Sequence, residues 1–389
     1  MKPHIVIPAP DSPSDVHPPM DISVVVPTLN EAANLPELAQ RLHLALAGRR
    51  YELLVIDDNS TDNTRQVCAE LATQFPLSLH VRLEPQDGLS GAVLYGFARA
   101  NGRYLVVMDA DLQHPPEKLP ELLAVVESGQ APFALGSRYV TGGSTAGRWG
   151  WARRINSRVA TLLAKPFAGT VRDPMSGFFC LARTTFDRAE RLSPMGYKIA
   201  LELICKCRVS EMGGVTEVPI HFDLRSQGQS KLTISQQFKY LEHLSRLYDF
   251  CFPRLSPMVK FLIASLLGWG VGLGVYEAAI WLNIQPGSAI PLAYLACLLS
   301  TAVFHFRYVR TQRKFLLTHT PWRDFAIVAL GEFVACTGSA VYLLSRGWRL
   351  QSLELFALTF GAATIARYVL RKEFMQDIRG LRRELRAEP

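Results

Sequence analysis

Strand-like and helix-like segments alternate along roughly the first 250 residues, and this alternation constrains the fold more than any other feature. Short apolar runs that end in acidic or polar turns begin at Ile22, Glu52, Leu77 and Tyr104, and most of them precede a segment with helical spacing of apolar residues. Such alternation is typical of a parallel sheet with helices on both faces. The sequence therefore predicts a doubly wound α/β domain, in which ligands bind beyond the carboxyl ends of the strands.

One of these apolar runs ends in two carboxylates. Residues 105–108 are continuously apolar, Asp109 and Asp111 follow them, and Gln113 lies two positions further on. Side chains alternate along a strand, so the two carboxylates are expected on the same side. A hard cation such as Mg²⁺ or Mn²⁺ suits such oxygen ligands, and Gln113 would add a neutral oxygen. The pattern predicts a metal site, although a solvated turn at a strand end can show the same short motif.

Polar turns also follow the first two predicted strands. The segments Pro27–Glu31 and Ile56–Asp58 come directly after apolar runs. Because the carboxyl ends of parallel strands meet at one edge of a sheet, both turns are expected beside Asp109. This placement favours one binding site over unrelated acidic turns.

Two later segments carry basic side chains in contexts that suit phosphate. Arg225 and Lys231 lie on a glycine- and serine-containing segment after the last predicted strand, where two cations suit a diphosphate leaving group. Residues 149–163 combine tryptophans and arginines with an aliphatic stripe at helical spacing, which is typical of a membrane-interface helix. The respective alternatives are a solvated basic loop and an amphipathic helix packed on the sheet.

From residue 259 onward long apolar stretches dominate the sequence. Those long enough to span about 30 Å of hydrocarbon are Val259–Leu282, Ser288–Phe306, Phe325–Leu344 and Leu353–Leu370. The helical core of a soluble protein is the alternative. Glu277 and Glu332 fall inside these stretches, where a charge usually faces the bundle interior or marks function.

The distribution of basic residues around the apolar stretches predicts the topology. The connector Asn283–Gly287 has no Lys or Arg, whereas the connector after the second stretch and the C-terminal tail are basic. Their cationic residues include Arg310, Arg313, Lys314, Arg323, Arg367, Arg371, Lys372, Arg379, Arg382, Arg383 and Arg386. Because positive residues stay on the cytoplasmic side, we expect a multi-pass protein with a cytoplasmic catalytic domain. The net charge of +8 is then explained by contact with an anionic membrane surface and not by binding of nucleic acid.

The strand-end motifs, taken in order, resemble those of a known enzyme family. Pro27–Glu31 is similar to the opening nucleotide-binding motif, Asp57–Asp62 to the second motif and Asp109–Asp111 to the metal motif of inverting family 2 glycosyltransferases of GT-A fold. Later segments resemble the dolichol-phosphate mannose synthase branch: Gly136–Tyr139, Ser176–Phe178, Gly196–Lys198 and Arg225–Leu232. The resemblance extends over residues 22–248.

The resemblance implies inverting transfer of a hexose from a nucleotide sugar, most of all GDP-mannose, to a polyprenyl or dolichyl phosphate. The expected nucleotide-sugar-binding residues are Pro27, Thr28, Asn30, Glu31, Ile56, Asp58, Ala110 and Arg138. The expected catalytic residues are Asp109, Asp111, Arg225 and Lys231, with Asp109, Asp111 and Gln113 as metal ligands. Arg153 and Ser157 are expected to hold the acceptor phosphate. The chain departs from the family at Gln86 and Asp87, since a basic residue often precedes the helix that begins here at Gly88.

No catalytic base is expected, because a phosphate monoester has a second pKa of about 6 and is largely ionised at pH 7. One alternative is a polyprenyl-phosphate glucosyltransferase that uses UDP-glucose. Another is a processive polysaccharide synthase, which usually carries a Gln-x-x-Arg-Trp segment that this sequence does not contain. A third is a lipid carrier with an inactive transferase domain, which the intact acidic and basic motifs disfavour.

Together these patterns divide the chain into predicted parts. They are a disordered leader (1–20), a GT-A domain (21–232), amphipathic interfacial linker helices (233–257), a transmembrane domain of four helices that resembles GtrA-like domains (258–372) and a basic cytoplasmic tail (373–389). The seven cysteines are scattered, which indicates buried thiols in a reducing compartment and not a zinc site.

Overall fold

The computed structural model describes residues 20–146, 151–190, 192, 198–223, 234–253, 255–304, 321–347, 353–367 and 369. The chain forms two compact units, with the division between Phe252 and Pro253. The predicted basic tail and residues 1–19 of the predicted leader lie outside the described residues.

A mostly parallel sheet organises the first unit. The strands of the described residues are β1 (Ile22–Thr28), β2 (Tyr51–Asp57), β3 (Leu77–Val81), β4 (Tyr104–Val107), β5 (Phe133–Ser137), β6 (Ser144–Thr145), β7 (Phe179–Ala182), β8 (Val215–Pro219) and β9 (His221–Phe222). The main sheet of this part has the order β3-β2-β1-β4-β7-β5-β8, and β7 runs antiparallel to its two neighbours while the other pairs are parallel. The prediction of a mostly parallel α/β domain is confirmed.

The apolar sequence of β4 is explained by its central position. Leu105 and Val107 pack into the core on one face of the sheet, and Val106 and Met108 pack into the core on the other. One face is covered by α1 (Leu35–Ala45), α2 (Thr64–Leu71) and α4 (Leu119–Glu127). The opposite face is covered by α3 (Gly88–Phe97), α5 (Trp151–Ala168), α6 (Arg183–Phe186), α7 (Ile199–Lys206) and α8 (Ile234–Cys251).

The strand order creates a topological switch point between β1 and β4. After β3 the chain returns to the other side of β1, so the loops after β1 and β4 leave in opposite directions and open a crevice. Since β7 is antiparallel, the residues that precede Phe179 lie at the same edge as those that follow Val107 and Ser137. This edge therefore collects the residues predicted to bind ligands.

A buried acidic residue ties α7 to α8. Glu202 accepts a hydrogen bond from Nζ of Lys206 at 2.7 Å, and Nε2 of His243 lies 3.3 Å from its carboxylate. The side chains of Glu202 and His243 are at most 2% exposed. Burial alone would raise the pKa of Glu202, but His243 and Lys206 outweigh burial and lower this pKa to about 2.

The lowered pKa predicts acid-sensitive docking of α8. The pKa of Glu202 falls from an ordinary 4.5 to about 2 on folding. The ionised carboxylate therefore stabilises the folded state above about pH 5, and this stabilisation is lost as the pH falls towards 2. The shift corresponds to on the order of 3 kcal/mol of folding free energy. Hydrogen exchange of α8 amides, corrected for the intrinsic rate, should accelerate below about pH 5. In Glu202→Gln exchange should be faster already at pH 7 and this acid step should disappear.

The control for this measurement is Glu242→Gln, because Glu242 lies on the partly exposed side of α8 and pairs with Arg246 at 3.0 Å. We expect it to keep the acid step. An unchanged acid step in Glu202→Gln would assign the acid sensitivity to another group.

The second unit contains, in its described part, α9 (Ser256–Trp281), α10 (Pro286–Phe304), α11 (Pro321–Ser345) and α12 (residues 353–367). Leu262–Trp281 and Ala326–Ser345 are long and apolar enough to cross a membrane, and only 28% and 22% of their apolar windows is buried within the protein. Exposed large apolar side chains occur on all four helices, for example Leu266, Leu299, Leu330 and Ile365. Such a surface suits lipid better than water.

Two glycines allow α9 to approach its neighbours closely. A Cβ atom at Gly268 would lie 2.6 Å from Cγ2 of Thr301 and 2.8 Å from Sγ of Cys297, both on α10. A Cβ atom at Gly272 would lie 2.8 Å from the ring of Phe360 on α12. Small residues four positions apart permit this packing between apolar helices.

A polar cluster lies where α9, α10, α11 and α12 meet. Arg367 on α12 forms a two-point ion pair with Glu332 on α11, and its Nη1 donates to Oγ of Ser265 on α9 at 3.3 Å. The hydroxyl of Tyr294 on α10 donates to Glu332 at 3.1 Å. Glu332 therefore faces the interior of the bundle. Arg367, which the topology argument counted with the cytoplasmic tail, is instead part of this buried cluster.

Candidate active site

The turns after β1 and β2 are joined by reciprocal hydrogen bonds. The backbone N–H of Asn30 donates to Oγ of Ser60 at 2.8 Å, and the N–H of Thr61 donates to Oδ1 of Asn30 at 2.8 Å. The N–H of Ala32 donates to Oδ2 of Asp62 at 3.1 Å. Asn30 has a φ of 56°, a left-handed conformation that asparagine tolerates better than most residues. The two turns consequently form one fixed surface.

The adjacent carboxylates after β2 have different surroundings. Asp57 is fully buried and accepts hydrogen bonds from the N–H and hydroxyl of Ser60 and from the hydroxyl of Thr28. Asp58 instead forms an ion pair with Arg82 at 3.1 Å. Burial raises the pKa of Asp58, and the charge of Arg82 opposes this rise. Asp57 thus holds the turn, and Asp58 is the more accessible of the two carboxylates.

Arg82 is a residue of this region that sequence patterns did not reveal. It follows β3, and its guanidinium donates to the backbone carbonyls of Gln86 and Gly88 while it pairs with Asp58. The family resemblance places a basic residue just before Gly88, where this chain has Asp87. Arg82 brings a guanidinium to the same turn from the neighbouring strand, a contact that is visible only in three dimensions.

The structure corrects the strand predicted to carry Asp109 and Asp111. The pairing of β4 with β1 ends at Val107, and the chain turns at Leu112, where φ is 60°. Strand alternation therefore does not orient the two carboxylates. Asp111 is buried and its Oδ1 accepts the N–H of Gln113 at 3.1 Å, whereas the Asp109 side chain is 33% exposed.

His114 and Gly177 flank Asp109. The N–H of Asp109 donates to Nδ1 of His114 at 3.2 Å, and the imidazole stacks on Phe178 with 5.4 Å between ring centroids. Burial lowers the pKa of His114 to about 4, so the ring is neutral at pH 7 and Nδ1 acts as an acceptor. A Cβ atom at Gly177 would be in van der Waals contact with the carboxylate oxygens of Asp109, at 3.4 and 3.5 Å. Sequence reasoning assigned His114 no role, because the rings that pack against it, Phe178 and Phe222, are distant in the chain.

Gln113 links the metal motif to the segment after β9. The side-chain Nε2 of Gln113 donates to the backbone carbonyl of Asp223 at 3.0 Å, and the backbone carbonyl of Gln113 accepts the N–H of Asp223 at 3.1 Å. This segment leads towards the predicted basic loop. Four side chains predicted for the site lie outside the described residues: Arg153, Ser157, Arg225 and Lys231.

Arg138 follows β5 and lies against a buried carboxylate. Its Nε and Nη2 each donate to Asp173 at 2.7 Å. Burial opposes the charged form, but Asp173 and, more weakly, Asp109 act the other way and raise the pKa of Arg138. The guanidinium carbon also lies 5.0 Å from the centre of the Phe222 ring. A fixed cation is therefore present near the metal motif.

The other residues predicted to bind the donor lie at the same edge of the sheet. Pro27 and Thr28 end β1, and Ile56 is next to the last residue of β2. Ala110, which lies between Asp109 and Asp111 in the sequence, is buried. Glu31 accepts a hydrogen bond within its own turn at 2.7 Å. The edge thus combines carboxylates, a fixed guanidinium and backbone turns, which is a combination suited to a charged nucleotide.

Comparison with known proteins decides the family. Residues 23–188 match the family described as Glycosyl transferase family 2. The chain is 40% identical over 271 residues to the dolichol-phosphate mannosyltransferase of Pyrococcus furiosus, an alignment that covers 69% of this chain and 74% of that protein. The chain belongs to the dolichol-phosphate mannosyltransferase family. It is accordingly a glycosyltransferase, as the sequence motifs predicted.

Similarity within this mannosyltransferase family extends across kingdoms. The protein of Saccharomyces cerevisiae with the same name is 38% identical, covering 66% of this chain and 98% of the relative. The polyprenol monophosphomannose synthase of Mycolicibacterium smegmatis is 35% identical, covering 57% and 85%. The solved glucosyl-3-phosphoglycerate synthase from Mycobacterium tuberculosis has a TM-score of 0.45 and 20% identity, over 60% of this chain and 80% of that one. The likeness of the second unit to GtrA-like domains stays a prediction.

Proposed function

We propose that this protein transfers mannose from GDP-mannose to a polyprenyl phosphate, with inversion at the anomeric carbon. The observation that carries the proposal is the presence of Asp58, Asp109, Asp111 and Arg138 at one edge of the sheet in a chain of this family. The relatives described above, 35–40% identical, are named for mannose transfer to dolichol phosphate or for polyprenol monophosphomannose synthesis.

The oxygen ligands offered by the segment after β4 fit a divalent cation. Within the described residues, no group of three or more His, Cys, Asp or Glu is arranged around a metal position. Mg²⁺ does not require such a group, since it commonly takes one or two carboxylates and completes its shell with phosphates and water. Asp109 and Asp111 supply the carboxylates, and we assign the side-chain oxygen of Gln113 as a further ligand. A bound Mg²⁺ or Mn²⁺ would neutralise charge on the donor diphosphate.

We assign the remaining roles as the family resemblance implies. The surface formed by the Asn30 and Ser60 turns, together with Asp58, binds the base and ribose. Arg138 meets the diphosphate, and Arg225 and Lys231 join it from the loop after β9. Arg153 and Ser157 on α5 hold the phosphate of the lipid acceptor.

Transfer requires positioning more than acid–base chemistry. The ionised oxygen of the lipid phosphate attacks the anomeric carbon, and the bond from that carbon to the diphosphate oxygen breaks on the opposite face. No proton has to be removed from the acceptor at pH 7. His114 is not assigned as a base, because its Nδ1 already accepts the N–H of Asp109 and its ring is buried. Catalysis then rests on alignment and on charge stabilisation of the departing diphosphate.

The test is product analysis with two alternative sugar donors, supplied separately. Membranes that contain the full chain are incubated with polyprenyl phosphate and either labelled GDP-mannose or labelled UDP-glucose, and the lipid extract is analysed by mass spectrometry. We expect one mannose per lipid phosphate and little transfer of glucose. Preferential transfer of glucose, a polymer, or an extract without labelled lipid would each contradict the proposed function.

We further propose that the protein crosses the membrane several times and that the transferase unit faces the cytoplasm. The exposed apolar surfaces of α9 to α12 and the basic connector with Arg310 and Arg313 support this topology. A single cysteine at Gln285, in a background without native cysteines, should react with an impermeant thiol reagent outside intact cells, and one at Thr318 should not. The reverse labelling pattern would overturn the topology.

A further inference from the structure

Asp173 accepts several hydrogen bonds in the first unit and is not among the residues proposed to touch the substrates. It has no solvent exposure, and its Oδ1 and Oδ2 accept one hydrogen bond each from the guanidinium of Arg138 at 2.7 Å. The backbone N–H of Arg138 donates to Oδ2 as well, at 3.0 Å. Asp173 therefore fixes the main chain and the side chain of Arg138 together.

The loop that carries Asp173 is itself fixed by another carboxylate. The N–H groups of Arg172 and Asp173 donate to the two carboxylate oxygens of Glu217 on β8, at 2.8 and 2.9 Å. Because β8 is paired with β5, which leads directly into Arg138, both ends of the contact are anchored in the same part of the sheet. The position of the guanidinium is thus set by the sheet, through Glu217 and Asp173.

Arg138 lies close to the metal motif. Asp109 is close enough to raise the pKa of Arg138, and the ring of Phe222 lies beside the guanidinium. Nζ of Lys198 donates to the carbonyl of Met175, two residues after Asp173, at 3.2 Å. Burial lowers the pKa of Lys198 to about 7, so the guanidinium of Arg138 is the firm positive charge held next to the position where the donor diphosphate is proposed to bind.

We propose that Asp173 is a positioning residue for the transfer reaction, which orients Arg138 towards the diphosphate of the nucleotide sugar. This inference rests on the proposed function. Asp173 does not act as a base, since it is buried and both of its oxygens already accept hydrogen bonds from the guanidinium. Its effect is exerted through Arg138 because a charge-assisted, two-point contact restricts the guanidinium to one geometry.

A double-mutant cycle tests this role. Asp173→Asn should lower kcat/KM for the nucleotide sugar roughly 10- to 100-fold, because the charge-assisted contact is lost, while KM for the lipid phosphate stays unchanged. In an Arg138→Ala background the same substitution should change kcat/KM by less than about 3-fold, since residues that act through one another are non-additive. Full additivity, or near-normal kcat/KM in Asp173→Asn, would overturn the proposal.

Two further variants keep the test decisive. Glu190→Gln is the matched control, because Glu190 pairs with Arg208 at 2.9 Å on the surface and should leave transfer unchanged. If Asp173→Asn does not fold, Glu217→Gln decides, with an expected loss of roughly 5-fold in kcat/KM for the donor. Unchanged transfer in Glu217→Gln would then contradict the proposal.

The wild-type product is identified in the same preparation, so the two hypotheses can fail separately. If the wild-type enzyme transfers another sugar, the cycle is measured with that donor, and the positioning role is judged on its own. If the wild-type chain transfers nothing, the proposed function fails, and Kd values for GDP-mannose replace kcat/KM in the cycle. Additive effects on binding would overturn the role of Asp173 in that case too.

Discussion

Asp111→Asn should lower turnover by about 100-fold or more, because charge stabilisation by a bound metal ion is worth several kcal/mol. The substitution nearly keeps the side-chain volume and removes one of the two negative charges that Asp109 and Asp111 offer to the metal ion. An Asn oxygen can still accept the N–H of Gln113, which Asp111 accepts at 3.1 Å, so the turn should remain folded. The measurement is steady-state transfer at saturating donor while Mg²⁺ or Mn²⁺ is titrated.

Asp21→Asn is the control for this experiment. Asp21 is partly exposed and pairs with Arg50 at 3.1 Å away from the candidate site, so the variant should keep wild-type turnover. Near-normal turnover in Asp111→Asn, or full wild-type activity in excess EDTA, would contradict the metal assignment.

Loss of either partner of the Glu332–Arg367 ion pair should strongly destabilise the second unit. Breaking a buried ion pair leaves an uncompensated charge and costs roughly 3–5 kcal/mol. Glu332→Gln and Arg367→Met should therefore each lower the unfolding temperature of this unit in detergent. In a background that keeps only Cys297 and Cys336, which are buried in the bundle, a thiol-reactive fluorophore can follow the transition of this unit.

The double variant Glu332→Leu/Arg367→Met separates the ion pair from the packing. Replacing a whole buried pair by apolar residues is often neutral, so this variant should recover much of the lost stability. Glu277→Gln is the control, because Glu277 lies exposed on α9 and does not face the bundle interior. Wild-type unfolding in Glu332→Gln would show that the pair contributes little.

Sequence reasoning succeeded where local pattern and fold depend on the same residues. The continuous apolar run of β4 predicted a strand buried on both faces, and Leu105 and Val106 pack into opposite cores. The polar turns after β1 and β2 were expected at one edge, and the hydrogen bonds of Asn30 with Ser60 and Thr61 join them. These features are visible in local sequence patterns and need no knowledge of distant contacts.

Residues whose role depends on distant partners could not be found in this way. Arg82 is an ordinary arginine after a strand until folding places it against Asp58 and the turn before α3. Asp173 shows no spacing relation to Arg138, since the loop that carries Asp173 comes near Arg138 only when β7, which follows this loop, pairs with β5. Arg367 looked like one more cation of a basic tail because its partner, Glu332, lies 35 residues away.

The anomeric configuration of the product tests the proposed transfer reaction most directly. The purified full chain is incubated with GDP-mannose, a polyprenyl phosphate and Mg²⁺ or Mn²⁺, and the lipid product is examined by NMR. We expect a single mannose linked to the lipid phosphate, with the configuration at its anomeric carbon inverted relative to the donor. Retained configuration, more than one sugar per lipid, or no transfer from GDP-mannose would contradict the proposed reaction.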